Sequence, residues 1–199
     1  MYTPPDRSFL TPNRAYADVR YYEAAISPED CETIVNACRG LPAQQGTLKA
    51  GAAQQVDGGL RRSTVRWVQY SAGVQSLYEA VRDLARRAND ETYHFDITGF
   101  TEPLQFTEYT AGGDHYGWHA DNAAGIYSLR KLSLILQLSE PDSYVGGDVE
   151  LFLEGKPMAA PRGIGTAIFF PSWLPHCVTP VTEGIRHSLV AWLSGPPFR

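Results

Sequence analysis

From residue 95 to residue 193 the chain is a succession of short apolar runs broken by turn residues, and this pattern restricts the possible folds more than any other feature. The runs are Phe95–Phe100, Leu104–Tyr109, Leu132–Leu138, Val149–Leu153, Thr166–Phe170 and Ile185–Leu193. Gly, Pro, Asp and Ser separate them, as expected where a chain must reverse or kink between strands. Many short strands with such turns predict a sandwich or jelly roll.

The first half reads differently. Ser27-Pro28-Glu29-Asp30 is a helix opening: a serine that can cap, a proline suited to the first turn, and acids at the positive end of the helix dipole. That helix is expected to run to about Arg39, with Gly40 and Pro42 ending it. A second amphipathic helix is predicted over Gly73–Asn89, where Val74, Leu77, Tyr78, Val81, Leu84 and Ala85 follow helical spacing. Strands are expected at Tyr16–Ala24 and Thr64–Tyr70. Residues 46–63 lack any period and read as a mobile loop, and residues 1–15 as a loosely docked arm. The fold class is therefore mainly β with flanking helices packed on one face of the core. A single domain is expected over 1–199, with the arm, helices and first strands in 1–92 and the β core in 93–199.

Composition narrows the function classes. The 199 residues are 43% hydrophobic and 20% charged, with a formal charge of −5. A nucleic-acid partner would call for a basic stripe, and none is visible. No run is long enough for a membrane span, and the N-terminus lacks the apolar core of a secretory signal. Cys31, Cys38 and Cys177 do not make a disulfide framework, so a reducing cytoplasm is the expected location.

The chemistry concentrates at His115-Tyr116-Gly117-Trp118-His119-Ala120-Asp121-Asn122. In an extended segment His119 and Asp121 point to one face. An imidazole beside a carboxylate is two-thirds of a facial metal triad, and His176, just past an apolar run, is the candidate third ligand. Two histidines and one carboxylate leave open positions on an octahedral ion, which suits iron(II) that must bind a chelating co-substrate together with O2. The helical His-Glu-x-x-His pattern of many zinc hydrolases is absent. Arg186 follows His176 by ten residues, across a turn containing Pro180 and Gly184. A strand entered at Ile185 is expected to run back beside the one before the turn. A buried guanidinium there can clamp a carboxylate with two parallel hydrogen bonds.

These residues sit in text that resembles the prolyl 4-hydroxylase-like branch of the iron/2-oxoglutarate oxygenases. The matching stretches are Phe106-Thr107-Glu108-Tyr109, Gly112, Tyr116, His119-x-Asp121-Asn122, Leu132 to Leu136, and Gly146-Gly147-Asp148-Val149-Glu150-Leu151. Phe170-Pro171-Ser172, His176-x-Val178-x-Pro180-Val181, Gly184-x-Arg186 and Ala191-Trp192 continue the likeness, and Arg62-Ser63 with Trp67 precede it. The resemblance implies a double-stranded β-helix core, a cupin-like jelly roll, with the metal at one open end. It implies Fe(II), 2-oxoglutarate and O2 as cofactor and co-substrates, with ascorbate as an accessory reductant, and a hydroxylation that releases succinate and CO2. By position, His119, Asp121 and His176 resemble the ligands, Arg186 the residue for the distal carboxylate, and Tyr109 and Trp192 further co-substrate contacts. Collagen-type animal members carry lysine where Arg186 stands. Related halogenases lack the metal carboxylate, so Asp121 favours hydroxylation.

Tyr116, Asn122 and Arg62 are candidate substrate contacts. His115 is a rival ligand by spacing, although the surrounding glycines argue for another role, and His94 and His187 read as structural. The expected substrate is a prolyl or other residue of a peptide or protein. A free amino acid or small natural product is the alternative, and a non-catalytic iron/2-oxoglutarate sensor is the third reading.

Overall fold

The computed structural model describes residues 18–46, 48–50, 53–55 and 58–197. The arm over 1–15 and the start of the expected first strand lie outside these residues. The remainder of that strand is β1, Arg20–Tyr22. Helix α1 spans Pro28–Arg39; the Ser27 hydroxyl accepts the Asp30 backbone N–H, and Gly40 closes the helix. Helix α2 spans Gln75–Ala88 and continues into a wider turn at Asn89–Tyr93.

The core consists of two antiparallel sheets whose inner faces meet. The short early strands are β2 (Gln44–Gln45), β3 (Leu48–Ala50), β4 (Ala53–Gln55), β5 (Arg61–Arg62), β6 (Thr64–Val68) and β7 (Gly99–Phe100). They are followed by β8 (Leu104–Thr110), β9 (Asp114–His119), β10 (Arg130–Gln137), β11 (Tyr144–Gly146) and β12 (Val149–Leu153). The last are β13 (Lys156–Ala159), β14 (Ala167–Pro171) and β15 (His176–Ser194). The main sheet runs β1-β14-β10-β15-β8-β6-β2. The second sheet places β9 and β12 on either side of the first part of β15, with β5 outside β9, β13 outside β12, and β11 against Val181–Gly184.

Period-two alternation sorts the side chains of the main sheet. Leu104 and Phe106 of β8, Leu132, Leu134 and Leu136 of β10, Phe169 of β14, and Leu189, Ala191 and Leu193 of β15 face outward. There they meet Cys31 and Cys38 of α1 and Tyr78, Val81, Ala85 and Ala88 of α2, so both helices cover one face. The alternate residues, Tyr109, Ile135, Ile168 and Phe170, face inward and pack on Val149, Leu151, Val178 and Val181 of the second sheet. This is the expected jelly roll, with one face of the main sheet under helices and the other lining the interior.

Three expectations need correction. Residues 46–63 contain structure: β3 pairs with β4, and β5 pairs with β9. Pairing across the backbone made these strands, and no apolar period announced them. The run Phe95–Phe100 reduces to β7, because the Asn89 amide takes both backbone polar groups of Phe95 and His94 adopts a left-handed φ of 54°. Finally, the chain does not fold back between His176 and Arg186. Strand β15 continues from one sheet into the other through a bend, where Pro180 has no N–H for a ladder and Gly184 has φ +70°.

Candidate metal centre and co-substrate pocket

His119 ends β9, His176 begins β15, and the two are paired in register across the second sheet. Asp121 lies two residues beyond the end of β9. One donor atom from each of the three lies within 4.8 Å of the others. The Nε2 atoms of His119 and His176 stand 3.7 Å and 3.6 Å from the two carboxylate oxygens of Asp121. Both Nδ1 atoms are held by backbone carbonyls, Gly117 O at 2.8 Å and Leu174 O at 2.9 Å. A carbonyl can only accept, so each ring carries a proton on Nδ1 and turns Nε2 toward Asp121. Tyr116 stacks on the His119 ring at 3.5 Å between centroids, and Phe170 packs 4.6 Å from that of His176.

Electrostatics agree with this orientation. Burial, reinforced by His176, pushes the His119 imidazolium down to about 3, so the ring is neutral at ordinary pH. For Asp121 burial works against ionisation, but His176, His119, Arg130 and the Ser133 hydroxyl together hold the carboxyl below its usual value. Ser133 Oγ donates to Asp121 Oδ2 at 2.7 Å, and Ser172 Oγ lies 3.0 Å from Ser133 Oγ. Arg130 donates to the Asp121 backbone carbonyl and is itself fixed by Glu102. Two imidazoles and one carboxylate, converging and oriented from behind, fit a divalent transition-metal ion.

The triad opens into a cavity of about 480 Å³ that also takes in Tyr109, Arg186, Ser188 and Trp192. Arg186 is 1% exposed. Its Nη2 donates to Gln137 Oε1 at 2.8 Å, while Nε and Nη1 are buried without a partner among the described residues. A buried guanidinium with two idle N–H groups calls for an anion from outside the chain. Tyr109 lies beneath it, ring centroid 5.4 Å from the guanidinium carbon. Burial raises the Tyr109 phenol, so it remains a hydrogen-bond donor. Trp192 adds another buried donor without a partner, and the Arg130 guanidinium stacks 3.8 Å from its ring.

The candidate residues thus separate. His119, Asp121, His176, Arg186, Tyr109, Trp192 and Tyr116 converge on one cavity. Asn122 does not: its amide is spent on the Ser128 and Arg130 carbonyls, 3.4 Å from each. Arg62 also faces away, donating to Asp114 at 2.6 Å and to the Gly112 carbonyl. Its neighbour Arg61 lines the cavity instead. His115 binds the Gly113 and Gly59 carbonyls, and His187 turns from the cavity toward Glu108 and Ser139. Of the group Arg61-Arg62-Ser63, which the sequence offered as one that could close over a substrate, it is Arg61 that lines the cavity, while Ser133 and Gln137 went unnoticed as site residues. The last two had a signal, since each is a polar residue at an inward position of the otherwise apolar run Leu132–Leu138.

Residues 104–194 match the family model described as the 2OG-Fe(II) oxygenase superfamily. The match covers just under half of the chain and lies on its β core, so over that region the chain is similar to the 2-oxoglutarate/iron oxygenases. Among curated relatives, the PKHD-type hydroxylase of Hyphomonas neptunium is 36% identical over 108 residues, covering 50% of this chain and 48% of that protein. A PKHD-type hydroxylase of Synechococcus sp. (strain CC9605) is 38% identical over 85 residues, covering 42% of this chain and 38% of its own length. The matches thus span about half or less of these relatives. Among solved structures, a Pseudomonas putida prolyl-4-hydroxylase superposes with a TM-score of 0.71 at 19% identity, covering 90% of this chain and 93% of that one. A Trichoplax adhaerens prolyl hydroxylase, in complex with a hypoxia inducible factor oxygen degradation domain peptide fragment, gives 0.73 at 18% identity, covering 89% and 83%. At these identities the likeness is one of fold. Among the described residues no helix is long and apolar enough to cross a membrane.

Proposed function

We propose that this chain is an Fe(II)- and 2-oxoglutarate-dependent hydroxylase of an unactivated C–H bond, in a prolyl or other residue of a peptide or protein, releasing succinate and CO2. One observation supports this above the rest. A two-histidine, one-carboxylate cluster and a buried, half-unsatisfied guanidinium share a single cavity.

In this reading the Nε2 atoms of His119 and His176 and the Asp121 carboxylate hold the metal. When bound, iron supplies the redox chemistry with O2. Arg186 takes the distal carboxylate of 2-oxoglutarate through its idle Nε and Nη1, and Gln137 keeps the guanidinium plane aimed. Tyr109 and Trp192 offer donors from the same wall. Ser133 and Ser172 fix the Asp121 carboxylate from behind, and the apolar lining of Ile135, Val178 and Val190 limits water around the reacting groups.

The test is oxygen-dependent succinate release from purified protein given Fe(II), ascorbate and 2-oxoglutarate with candidate peptides. Mass spectrometry would seek the added oxygen. His119→Ala and Asp121→Ala should abolish both signals, and wild-type turnover in either variant would refute the assignment. A cavity of this size also accommodates a free amino acid or small natural product. That second reading predicts an oxygenated small-molecule product and none on peptides.

A further inference from the structure

The cavity holds a second buried guanidinium that neither the metal nor the co-substrate requires. Arg61, on β5, is 5% exposed. Strand β5 is held to β9 by the Arg61–Tyr116 pairing, so Arg61 enters from the second sheet while Arg186 comes from the main one. The Arg61 Nε donates to Ser63 Oγ at 3.0 Å, and its guanidinium carbon lies 4.4 Å from the Tyr116 ring centroid. Its Nη2 is buried and has no hydrogen-bond partner among the described residues. Among the described residues no carboxylate forms an ion pair with it; the hydroxyl and the aromatic face are its only compensation there.

Charge balance points to what is missing. Of the charged residues lining the cavity, Arg130 is neutralised by Glu102. A divalent ion on Asp121 with two neutral imidazoles leaves one positive charge, and Arg186 adds another. A dianionic co-substrate cancels both, which leaves Arg61 alone uncompensated in a largely apolar cavity, where an unpaired charge is costly. Position agrees as well. Arg61 lies 4.4 Å from the Tyr116 centroid, which is itself 3.5 Å from that of His119, so the guanidinium carbon is within about 8 Å of a candidate ligand ring. A carboxylate held there stands a few carbon–carbon bonds from the metal side of the cavity.

We infer that Arg61 binds a carboxylate of the substrate that is hydroxylated, so the substrate is an acid whose reactive carbon lies close to its own carboxylate. This deepens the proposed function and rests on it for the identity of the site. A free acid and an acidic residue next to the target in a peptide both supply such a carboxylate, and the chemistry at Arg61 is the same for either.

The experiment uses the full chain with Mn(II) and saturating 2-oxoglutarate, so that Arg186 is occupied. Thermal unfolding is followed with acetate against acetamide at equal ionic strength. Acetate should raise the melting temperature and acetamide should not. Arg61→Gln should lose the shift, Arg61→Lys should keep part of it, and both should bind 2-oxoglutarate as the wild type does. L-Proline against L-prolinamide, and a blocked aspartyl-proline dipeptide against its asparaginyl counterpart, then identify the source of the carboxylate. No difference between acetate and acetamide in the wild type, or one that survives in Arg61→Gln, overturns the proposal. Asp57 lies outside the described residues, so Asp57→Asn is the control. Acetate binding seen only in that variant assigns Arg61 to an internal ion pair and also overturns it. Absence of 2-oxoglutarate binding in the wild type instead counts against the proposed function. The acetate contrast measured in Arg186→Ala then still reads Arg61 by itself.

Discussion

Replacing Ser133 with alanine removes one hydroxyl from behind the candidate metal centre and leaves every proposed ligand in place. The Ser133 Oγ–Asp121 Oδ2 distance is 2.7 Å, with Ser133 fully buried and Asp121 nearly so. A hydrogen bond to a charged acceptor in such surroundings contributes about 1.5–3 kcal/mol. At about 1.4 kcal/mol per decade, that is roughly a tenfold to hundredfold loss of metal affinity, the range expected for groups that orient metal ligands. Ser172 Oγ, 3.0 Å from Ser133 Oγ, can turn toward the vacated space, so the single variant should fall near the lower end. The Ser133→Ala/Ser172→Ala double variant should fall near the upper end. Anaerobic titration with Co(II), followed by visible absorption, measures both, with circular dichroism as the control for folding. Wild-type affinity in the folded double variant would refute the idea that Asp121 is oriented from behind, and with it the reading of this cluster as a built metal site.

Arg186→Ala should weaken 2-oxoglutarate binding by at least about thirtyfold, since truncating one partner of a buried charge pair costs about 2–5 kcal/mol; Co(II) affinity should be unchanged, and calorimetry distinguishes the two. Gly147→Ala should lower stability by about 1–3 kcal/mol, because alanine at φ +65° is strained and its Cβ would meet Val181 Cγ2 at 2.8 Å and Arg186 Cδ at 3.0 Å. The same variant should weaken 2-oxoglutarate binding, and unchanged binding would show that Gly147 does not position the clamp. Mn(II) should raise the melting temperature of the wild type and leave that of His176→Ala unmoved. Far from the cavity, hydrogen bonds from Arg87, Tyr22 and Arg20 hold the Glu91 carboxyl down at about 2, below its usual 4.5. A depressed carboxyl stabilises the fold above its unfolded value, and that contribution fades as pH falls through the folded one. The melting-temperature gap between wild type and Glu91→Gln should therefore close between about pH 4.5 and 2; a gap constant across that window would remove Glu91 as the cause.

Local features were legible in the sequence where local physics decides them. Ser27, Pro28 and the acids after them announce α1, and the apolar spacing of Tyr78, Val81 and Ala85 announces α2. Several β-runs announced themselves by length and punctuation. His119 and Asp121 could be paired from their spacing, and His176 and Arg186 joined to them by the family-like text around them, although the fold-back expected between those two is replaced by one continuous strand. What escaped was set by pairing between distant segments. Arg61 and Arg62 are neighbours on one strand, so one must face in and the other out. Only the register of Arg61 against Tyr116 decides which. The same pairing makes strands of the aperiodic stretch 46–63. Asn122 looked available because it follows the motif, yet two distant carbonyls consume its amide. Ser133 and Gln137 were visible as polar interruptions, but their targets, Asp121 and Arg186, are fixed by the sheet.

Strand β15 has a consequence for how this gene tolerates change. It carries both His176 and Arg186, ten residues apart, a span of roughly 33 Å if fully extended. The bend between the sheets is what returns both residues to one cavity. Gly184 sits in that bend so tightly that a Cβ would fall 2.1 Å from the Ser143 carbonyl oxygen. The segment from Cys177 to Ile185 therefore works as a fixed-length spacer. Removing one residue from it, with the rest of the main sheet held in register, would turn His187 into the cavity and Arg186 out. Substitutions across the exposed part of this stretch are tolerable, whereas insertions and deletions are not, and a library that varies length there should separate folded chains from co-substrate-binding ones.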